Sequence, residues 1–529
     1  MNRTRFGFVQ ILSLLLIAFF AFSCQQGSDG VEPVSWGECP DYSLLPGDPQ
    51  CAWINVPLDY SDPSGQQIGI FAYRYQGAAE TKKGQVWVLE GGPGGSGILL
   101  SRSASYLAEQ YPEYDFLSLD HRGVGNSARL GCPGDNGIGL DMAAYQACMN
   151  EMVSDWGDDI KQFNTTNAAR DIYMVTNKAR RDDQQVFVYA VSYGTYWLQR
   201  YLQLYPNDID GVILDSICSP TECYLDRYDG WNNNVGIEFM GYCADDSICN
   251  EKMETIADSP LDALEKLYAD LEAGQLCEFV QNRFDQQHMR NLLGSMLQNW
   301  SKRFLIPALI YRMERCDEAD QAAIQNLIAS TGFVTLALDQ SEQPEEDAYN
   351  SPMLRDLVAL SELFGGSTLE QAEEQAENAY FCDDASLILT TIYDADVWDL
   401  YEDATYAQQF AETDIPILMM NGTTDPQTPL QIAKATGEHF TGEYQHFVTM
   451  PYATHGVMIF SPIDKVLPEG SEPCGSRLIG QFIQNPKGEL DTSCTEEVYP
   501  LEFDPTSDNN MTTSQTYFGT DDMWEGIPQ

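Results

Sequence analysis

Short apolar runs that end in turn residues recur along the chain, and they constrain its fold more than any other feature. The runs occupy residues 68–75, 85–90, 115–120, 186–191, 211–217, 415–420 and 445–450. Each run is typical of a buried strand, and helical or polar stretches separate the later ones. Parallel strands with helical crossovers form a doubly wound α/β sheet, which carries functional groups at the carboxyl ends of its strands.

A long helical stretch interrupts this alternation between residues 218 and 404. Ser259 and Pro260 open a helix that Gly274 closes, and three further helical patterns follow. These patterns occupy residues 288–313, 353–364 and 369–380. We expect a helical domain inserted between two strands of one mostly parallel sheet. The predicted order is a signal segment at 1–23, a linker at 24–50, the core at 51–217, the insertion at 218–404, the rest of the core at 405–495 and an acidic, surface-wrapping tail at 496–529.

The first residues have the pattern of a bacterial export signal. Two arginines precede an apolar run at 11–22 that is too short for a spanning helix with these flanks. Ala21, Ser23 and Cys24 at its end resemble the cleavage site of bacterial lipoproteins, where the cysteine receives a lipid. We expect lipidation of Cys24 and a location in the periplasm or at the cell surface, with ordinary secretion as the alternative. Membrane contact is expected through this lipid alone.

The charge balance excludes nucleic acid as a partner. The chain holds 28 lysines and arginines against 80 aspartates and glutamates, a formal net charge of −52. A negative field of this size repels phosphate backbones and anionic lipid head groups. Solubility and attraction of cationic ligands are the two explanations that the composition leaves open.

The cysteines agree with export. Of 14 cysteines, 13 remain when Cys24 is set aside, so at least one thiol has no partner within the chain. No pair has the spacing of a thioredoxin motif, and with five histidines the chain has no zinc-ribbon pattern. Disulfides are the usual state of many cysteines in an exported protein. Connectivity stays open, and the short-range pairs that the spacing allows are Cys39–Cys51, Cys132–Cys148, Cys243–Cys249 and Cys474–Cys494.

Ser192 stands where a nucleophile would be exposed. It follows the predicted strand at 186–191 and precedes a helical pattern at 196–204. A serine at such a sharp turn projects from the sheet edge beside a helix N-terminus. The usual pattern is Gly-x-Ser-x-Gly, and Ala190 replaces its first glycine here. Taken alone, an ordinary turn serine is the alternative.

A nucleophilic serine needs a histidine as its base and a carboxylate that orients the histidine. In this class of α/β fold the chain order is serine, then the acid, then histidine, and two downstream residues fit that order. Asp425 follows the strand at 415–420, and His455 follows the strand at 445–450. His439 falls in a helical pattern and His446 at a strand start, so neither follows a strand end. We therefore predict Ser192, Asp425 and His455 as the catalytic residues.

A glycine-rich loop at 91–97 supplies bare backbone for the developing oxyanion. The predicted N–H donors are Gly91 or Gly92 from this loop and Tyr193 next to the nucleophile. A phosphate-binding loop is the alternative. The loop lacks the lysine and the serine or threonine of a P-loop and the spacing of a dinucleotide fingerprint.

These motifs together resemble the prolyl aminopeptidase and tripeptidyl aminopeptidase family of serine peptidases, which have the α/β-hydrolase fold. The resemblance rests mainly on six segments and runs from about residue 39 to 460. They are GGPGGSG at 91–97, DHRGVGNS at 120–127, TTNAARD at 165–171, SYGT at 192–195, and GTTDPQTP at 422–429 with ATHG at 453–456. The resemblance implies that Asp120 and Arg122 support the site rather than react.

The resemblance also implies that the helical insertion is a cap whose acidic residues hold the free N-terminus of a peptide. Charge alone does not identify those residues, because the acidic side chains of the insertion are too numerous. They include Glu222, Asp226, Asp229, Asp383 and Asp384. Glu90 departs from the prolyl branch, which has histidine there. Three roles are open for Glu90. It is a solvated or locally paired carboxylate, it affects the oxyanion loop, or it contacts a substrate amine.

The resulting hypothesis is an exported serine exopeptidase that needs no metal or organic cofactor. Ser192 forms an acyl-enzyme with an N-terminal residue or short peptide, and water releases it. A carboxylesterase with the same three residues is the first alternative. A catalytically silent peptide-binding lipoprotein is the second. Sequence leaves open the released length, any preference for proline and the oligomeric state.

Overall fold

A computed structural model describes residues 34–40, 44–132, 142–181, 183–331, 349–463 and 472–525. The predicted signal segment and Cys24 lie outside the described residues. Within these ranges one sheet has nine strands in the order β1-β2-β3-β5-β4-β6-β7-β8-β9. The strands are β1 (Gly37–Glu38), β2 (Gln50–Pro57), β3 (Gln67–Tyr75), β4 (Gly84–Leu89), β5 (Tyr114–Leu119), β6 (Gln185–Ser192), β7 (Gly211–Ile217), β8 (Ile417–Gly422) and β9 (Gln445–Met450).

The sheet is parallel from β5 to β9 and antiparallel at its first edge. β4 pairs with β5 and β6, and each strand from β6 to β9 pairs with the next, all in parallel. β1, β2, β3 and β5 pair with antiparallel register. The prediction of a mostly parallel sheet is confirmed, and every predicted strand is present with its ends displaced by no more than two residues.

Two edge strands were not predicted. β2 alternates between buried and exposed side chains, and the indole of Trp53 in its middle is half exposed. β1 lies in the segment that we expected to be a linker, where Gly37 pairs with Cys51. These strands add an antiparallel edge to the parallel sheet.

Helices cover both faces of the sheet and form the insertion. They are α1 (Ser101–Gln110), α2 (Met142–Trp156), α3 (Thr165–Ala179), α4 (Tyr193–Leu204), α5 (Tyr228–Asp245), α6 (Ser247–Met253), α7 (Pro260–Ala273), α8 (Glu278–Gln281), α9 (Gln286–Gln298), α10 (Ile306–Arg315), α11 (Glu318–Thr331), α12 (Pro352–Glu362), α13 (Leu369–Asn378), α14 (Ala385–Asp394), α15 (Leu430–His439), α16 (Cys474–Gln484) and α17 (Asp508–Tyr517). The helical pattern predicted at 288–313 corresponds to two helices, α9 and α10, which a short 3₁₀ turn separates. No helix in the described ranges combines the length and hydropathy of a membrane span.

Both faces of the sheet are buried, as continuous apolar strands require. Trp87 and Leu89 of β4 face one core, which α2, α3, α4 and α12 complete. Val86 and Val88 alternate to the other face, which α1 and α16 cover. The sheet is therefore rigid where it presents its strand ends.

The insertion has its own apolar core, to which the end of the chain contributes. α5, α7, α9, α10 and α11 bury leucine, methionine and phenylalanine side chains against one another. Phe503, Phe518 and Trp524 join this cluster and are fully buried. Arg312 donates to the carbonyls of Met523 (2.8 Å) and Glu525 (2.7 Å). Residues 501–524 thus differ from the surface-wrapping tail that the acidic composition suggested.

Six disulfides connect described cysteines. All four pairs that the spacing allowed are present, and Cys218–Cys223 and Cys277–Cys316 add two more. Cys382 is a buried free thiol, as the odd count required.

Arg122 is a buried link between the sheet and α3. Its Nε and Nη2 each donate to Asp171 at 2.7 Å, and its guanidinium also donates to the carbonyls of Leu58 (2.7 Å), Gln162 (2.9 Å) and Pro57 (3.1 Å). The side chain is fully buried. These contacts agree with a structural role.

We predict that Arg122→Met lowers the free energy of unfolding by about 3–5 kcal/mol, because Asp171 keeps a buried charge without its partner. Urea unfolding followed by circular dichroism measures the loss. The double variant Arg122→Met with Asp171→Leu should recover part of it. A single variant as stable as the native protein would contradict the structural role.

Candidate active site

The carboxyl ends of β4, β6, β7, β8 and β9 lie side by side because these strands are parallel neighbours. Ser192 ends β6, Asp425 follows β8, and His455 follows β9. Glu90 and the glycine-rich loop follow β4. The fold therefore brings all the predicted catalytic and oxyanion residues to one edge of the sheet.

Ser192 occupies a strained turn between β6 and α4. Its backbone has φ 59° and ψ −134°, which a residue with a side chain rarely adopts. The neighbouring backbone approaches so closely that a Cβ on Gly91 would lie 2.6 Å from the Cβ of Ser192. A Cβ on Gly194 would lie 2.7 Å from the carbonyl oxygen of Glu90. Ala190 pairs in regular register with Leu89, so the missing glycine does not disturb the turn.

His455 and Asp425 form a hydrogen-bonded pair in which His455 is partly exposed. The Nδ1 of His455 lies 2.9 Å from Oδ2 and 3.0 Å from Oδ1 of Asp425. Asp425 is fully buried and also accepts the backbone N–H groups of Gln427 (2.9 Å) and Thr428 (3.0 Å) and the hydroxyl of Thr428 (2.9 Å). A proton on Nδ1 leaves Nε2 as the basic nitrogen, which is the tautomer that a general base needs.

The charges around His455 favour its protonated form. Burial lowers the pKa of His455, but the charge and hydrogen bond of Asp425 and the charges of Asp215 and Glu90 raise it above its ordinary value. An imidazolium formed when the base takes a proton is therefore stabilised. Protonation at low pH would remove the base and with it the activity.

The other histidines make different contacts. His121 is buried with Nδ1 2.6 Å from the carbonyl of Arg122, and burial lowers its pKa to about 3. His439 contacts the carbonyl of Ala411 from α15, and His288 contacts Asp285. Among the described histidines, His455 is the one that contacts Asp425 through a hydrogen bond.

Asp215 holds the loop that carries His455, and sequence motifs did not identify it. It is fully buried near the end of β7 and accepts the N–H groups of Val457 (2.8 Å) and Met458 (2.7 Å). It also accepts the hydroxyl of Tyr189 in β6 at 2.8 Å. One carboxylate thus connects the strand of the nucleophile, its own strand and the histidine loop.

Arg303 connects the insertion to the loops of the acid and the base. Its guanidinium is fully buried and donates to the hydroxyl of Thr424 (2.6 Å) and the carbonyl of Tyr452 (2.7 Å). Thr424 in turn donates to the carbonyls of Tyr452 (2.9 Å) and Ala453 (3.0 Å). Thr424 precedes Asp425, and Ala453 lies two residues before His455, so the insertion helps to position both.

The glycine-rich loop faces the backbone that follows Ser192. A Cβ on Gly91 would lie 2.9 Å from the amide nitrogen of Tyr193. The N–H of Gly91 donates to Oε1 of Glu90 at 3.0 Å. Of the two predicted donors in this loop, Gly91 is therefore already engaged and Gly92 remains a prediction, together with Tyr193.

Three of the acidic residues that the sequence singled out in the insertion, Asp229, Asp383 and Asp384, make contacts within the protein. Asp229 accepts the N–H groups of Asp383 (3.1 Å) and Ser386 (2.9 Å). Burial and the charge of Asp229 raise the pKa of Asp383 to about 8. Asp384 accepts the amides of Gln287 and Asn291, each at 2.7 Å.

We predict that Asp215→Asn lowers kcat on the order of 10- to 100-fold. Val457 and Met458 donate to different oxygens of Asp215, and the amide nitrogen that replaces one of these oxygens cannot accept an N–H, so the histidine loop shifts. Loss of the negative charge also lowers the pKa of His455. The acid limb of the pH profile of kcat/KM should therefore move to lower pH.

Asp208→Asn is the matched control, because Asp208 also accepts a tyrosine hydroxyl, that of Tyr201 at 2.7 Å, but precedes β7 at its opposite end. The control should keep its rate and its profile. An unchanged acid limb in Asp215→Asn would contradict the assignment of Asp215 to the histidine loop.

Two parts of the chain match known protein families. Residues 86–312 match the family described as alpha/beta hydrolase fold, and residues 389–494 match the family described as TAP-like protein. The tripeptidyl aminopeptidase of Streptomyces coelicolor is 29% identical over 211 residues, which are 36% of this chain and 38% of that protein. Serine protease Hip1 of Mycobacterium tuberculosis is 26% identical over 241 residues, 40% of this chain and 45% of that protein.

The chain thus spans less than half the length of each of these relatives. Among solved structures, an esterase from Exiguobacterium antarcticum aligns over 74% of this chain and 90% of its own, with 12% identity and a TM-score of 0.29. The sheet order and the two family matches agree with the resemblance that the motifs indicated. The chain therefore has the α/β-hydrolase fold, and its residues 389–494 are similar to TAP-like proteins.

Proposed function

We propose that the protein is a serine exopeptidase that releases an N-terminal residue or a short peptide from substrates with a free N-terminus. The observation that carries the proposal is the hydrogen-bonded pair of buried Asp425 and partly exposed His455, at the sheet edge where β6 presents Ser192 in a strained turn. The names of the relatives, a tripeptidyl aminopeptidase and a serine protease, support peptides as the substrates.

The chemistry follows from the roles of the three residues. His455 takes the proton of the Ser192 hydroxyl as the oxygen attacks the carbonyl carbon of the substrate. Asp425 keeps the imidazole in the required tautomer and stabilises its positive charge. The N–H groups of Gly92 and Tyr193 hold the oxyanion of the tetrahedral intermediate. His455 then gives the proton to the leaving amine, and water hydrolyses the acyl-enzyme by the same route.

The insertion supports the exopeptidase over an enzyme that cleaves inside chains. Its helices pack on the catalytic edge, and Arg303 binds the acid and base loops directly. A cap fixed over the nucleophile limits how far a peptide can extend beyond the scissile bond. It thereby favours substrates that end close to it.

Export is the second part of the proposal. Six disulfides among the described residues are the usual state of a protein that folds in an oxidising compartment. We propose removal of the signal segment and a lipid on Cys24, which would hold the enzyme at the periplasmic or outer surface of the membrane.

Expression without residues 1–24 followed by assays on fluorogenic amides tests the activity. We predict hydrolysis of free-amine substrates of one to three residues and no hydrolysis of their N-acetylated forms. The preferred length identifies the released unit. Ser192→Ala should lose on the order of 10³-fold or more in rate while its thermal unfolding stays unchanged.

A short-chain nitrophenyl ester completes the panel. Ester turnover that depends on Ser192, without any amide cleavage, would identify the esterase alternative and remove the exopeptidase. Absence of every activity in a folded protein would instead favour a silent binding protein.

A further inference from the structure

Glu90 places a carboxylate beside the nucleophile, and nothing in the mechanism above uses it. It follows β4 directly, and its Oε1 accepts the N–H of Gly91 at 3.0 Å. The loop folds over the side chain so closely that a Cβ on Gly95 would lie 3.0 Å from the Cγ of Glu90. Gly91 in turn lies against Ser192. The carboxylate is also close enough to His455 for its charge to raise the pKa of that imidazole.

This carboxylate lacks a resident cation. No lysine or arginine of the described ranges forms an ion pair with Glu90, and the positive group that acts on it is His455. Tyr73 and Tyr189 are the other titratable groups that its charge affects. Burial raises the pKa of Glu90, while the Gly91 N–H and His455 lower it. By contrast, Asp229 and Asp384 of the insertion accept hydrogen bonds from donors within the insertion.

A negative charge at this position slows the reaction of neutral substrates. The tetrahedral intermediate carries its own negative charge on the oxyanion, a few bonds from Ser192, and like charges in a water-poor site repel strongly. A partly buried carboxylate such as that of Glu90, without a cation, is also unfavourable by itself. Both costs disappear when the substrate brings a positive group to the same place.

We propose that Glu90 is a specificity-determining residue that selects substrates with an ammonium or guanidinium group next to the scissile carbonyl. Two sources supply such a group. One is the free α-amine of a single released residue, and the other is a lysine or arginine side chain on the last residue of a longer released unit. The inference rests on the proposed exopeptidase function. It adds a preference for a positive charge on the residue before the scissile bond.

Glu90→Gln tests the inference, because glutamine keeps an oxygen that accepts the Gly91 N–H and removes the charge. The substrates are fluorogenic amides of lysine and of norleucine, which matches the lysine carbon chain without its charge. Each is presented as a single residue and as the last residue of a tripeptide. A neutral nitrophenyl ester reports the triad alone.

The native enzyme should prefer lysine over norleucine by about tenfold or more in kcat/KM in one of the two formats. Glu90→Gln should lower the lysine rate and raise the rate on the neutral ester. Preference confined to tripeptides identifies the side chain as the cation. Preference of single free residues over their N-acetylated forms, lost in the variant, identifies the α-amine.

Opposite changes on charged and neutral substrates separate specificity from a structural role, which would lower every rate together. Glu80→Gln removes one exposed charge from the loop before β4 and should change neither preference. Equal losses on all substrates, or an unchanged preference in Glu90→Gln, would overturn the inference. Misfolding of the variant would also abolish ester turnover. The ester rate therefore distinguishes a misfolded variant from a folded variant with changed specificity.

Failure of the proposed function has a different signature. If the native protein cleaves esters and no amides, the exopeptidase fails. Nitrophenyl esters of lysine and norleucine then still measure the preference that Glu90 imposes. A protein that cleaves free-amine amides but does not distinguish lysine from norleucine, nor free from acetylated single residues, would keep the exopeptidase and lose the inference.

Discussion

The close approach of the β4 loop to the turn at Ser192 is the constraint on which the site depends. Two glycines, Gly91 and Gly194, leave no room for a side chain between the loop and the turn. This packing holds Ser192 in a backbone conformation that costs about 1–3 kcal/mol elsewhere. The same contact sets the amide of Tyr193 opposite the glycine-rich loop, so the serine and the N–H groups that we predict to bind the oxyanion are positioned together.

The acid and the base reach this turn through contacts that are distant in sequence. Asp215 holds the histidine loop from 242 residues away, and Arg303 reaches from the insertion to Thr424 across 121 residues. Both side chains are fully buried, so each loses a substantial solvation free energy that its hydrogen bonds must offset. The cap is therefore a structural part of the catalytic edge.

Local patterns predicted the parallel strands and the positions of Ser192, Asp425 and His455, because strand ends and turns are encoded by neighbouring residues. Asp215 and Arg303 have no local signal: their roles exist only after the chain has folded. β2 escaped prediction because alternate exposure at an edge weakens the apolar run. The acidic composition of the last 30 or so residues led to the prediction of a surface tail. Aromatic side chains among them, such as Trp524, pack into the insertion instead.

The most direct test of the central claim is the reaction of the folded protein with a fluorophosphonate, followed by intact mass and peptide mapping. A serine activated by His455 and Asp425 should gain one phosphonyl group, on Ser192, and His455→Ala should slow the reaction on the order of 10²-fold or more. Labelling of another residue, or an equal rate without His455, would contradict the assignment of Ser192 as the nucleophile.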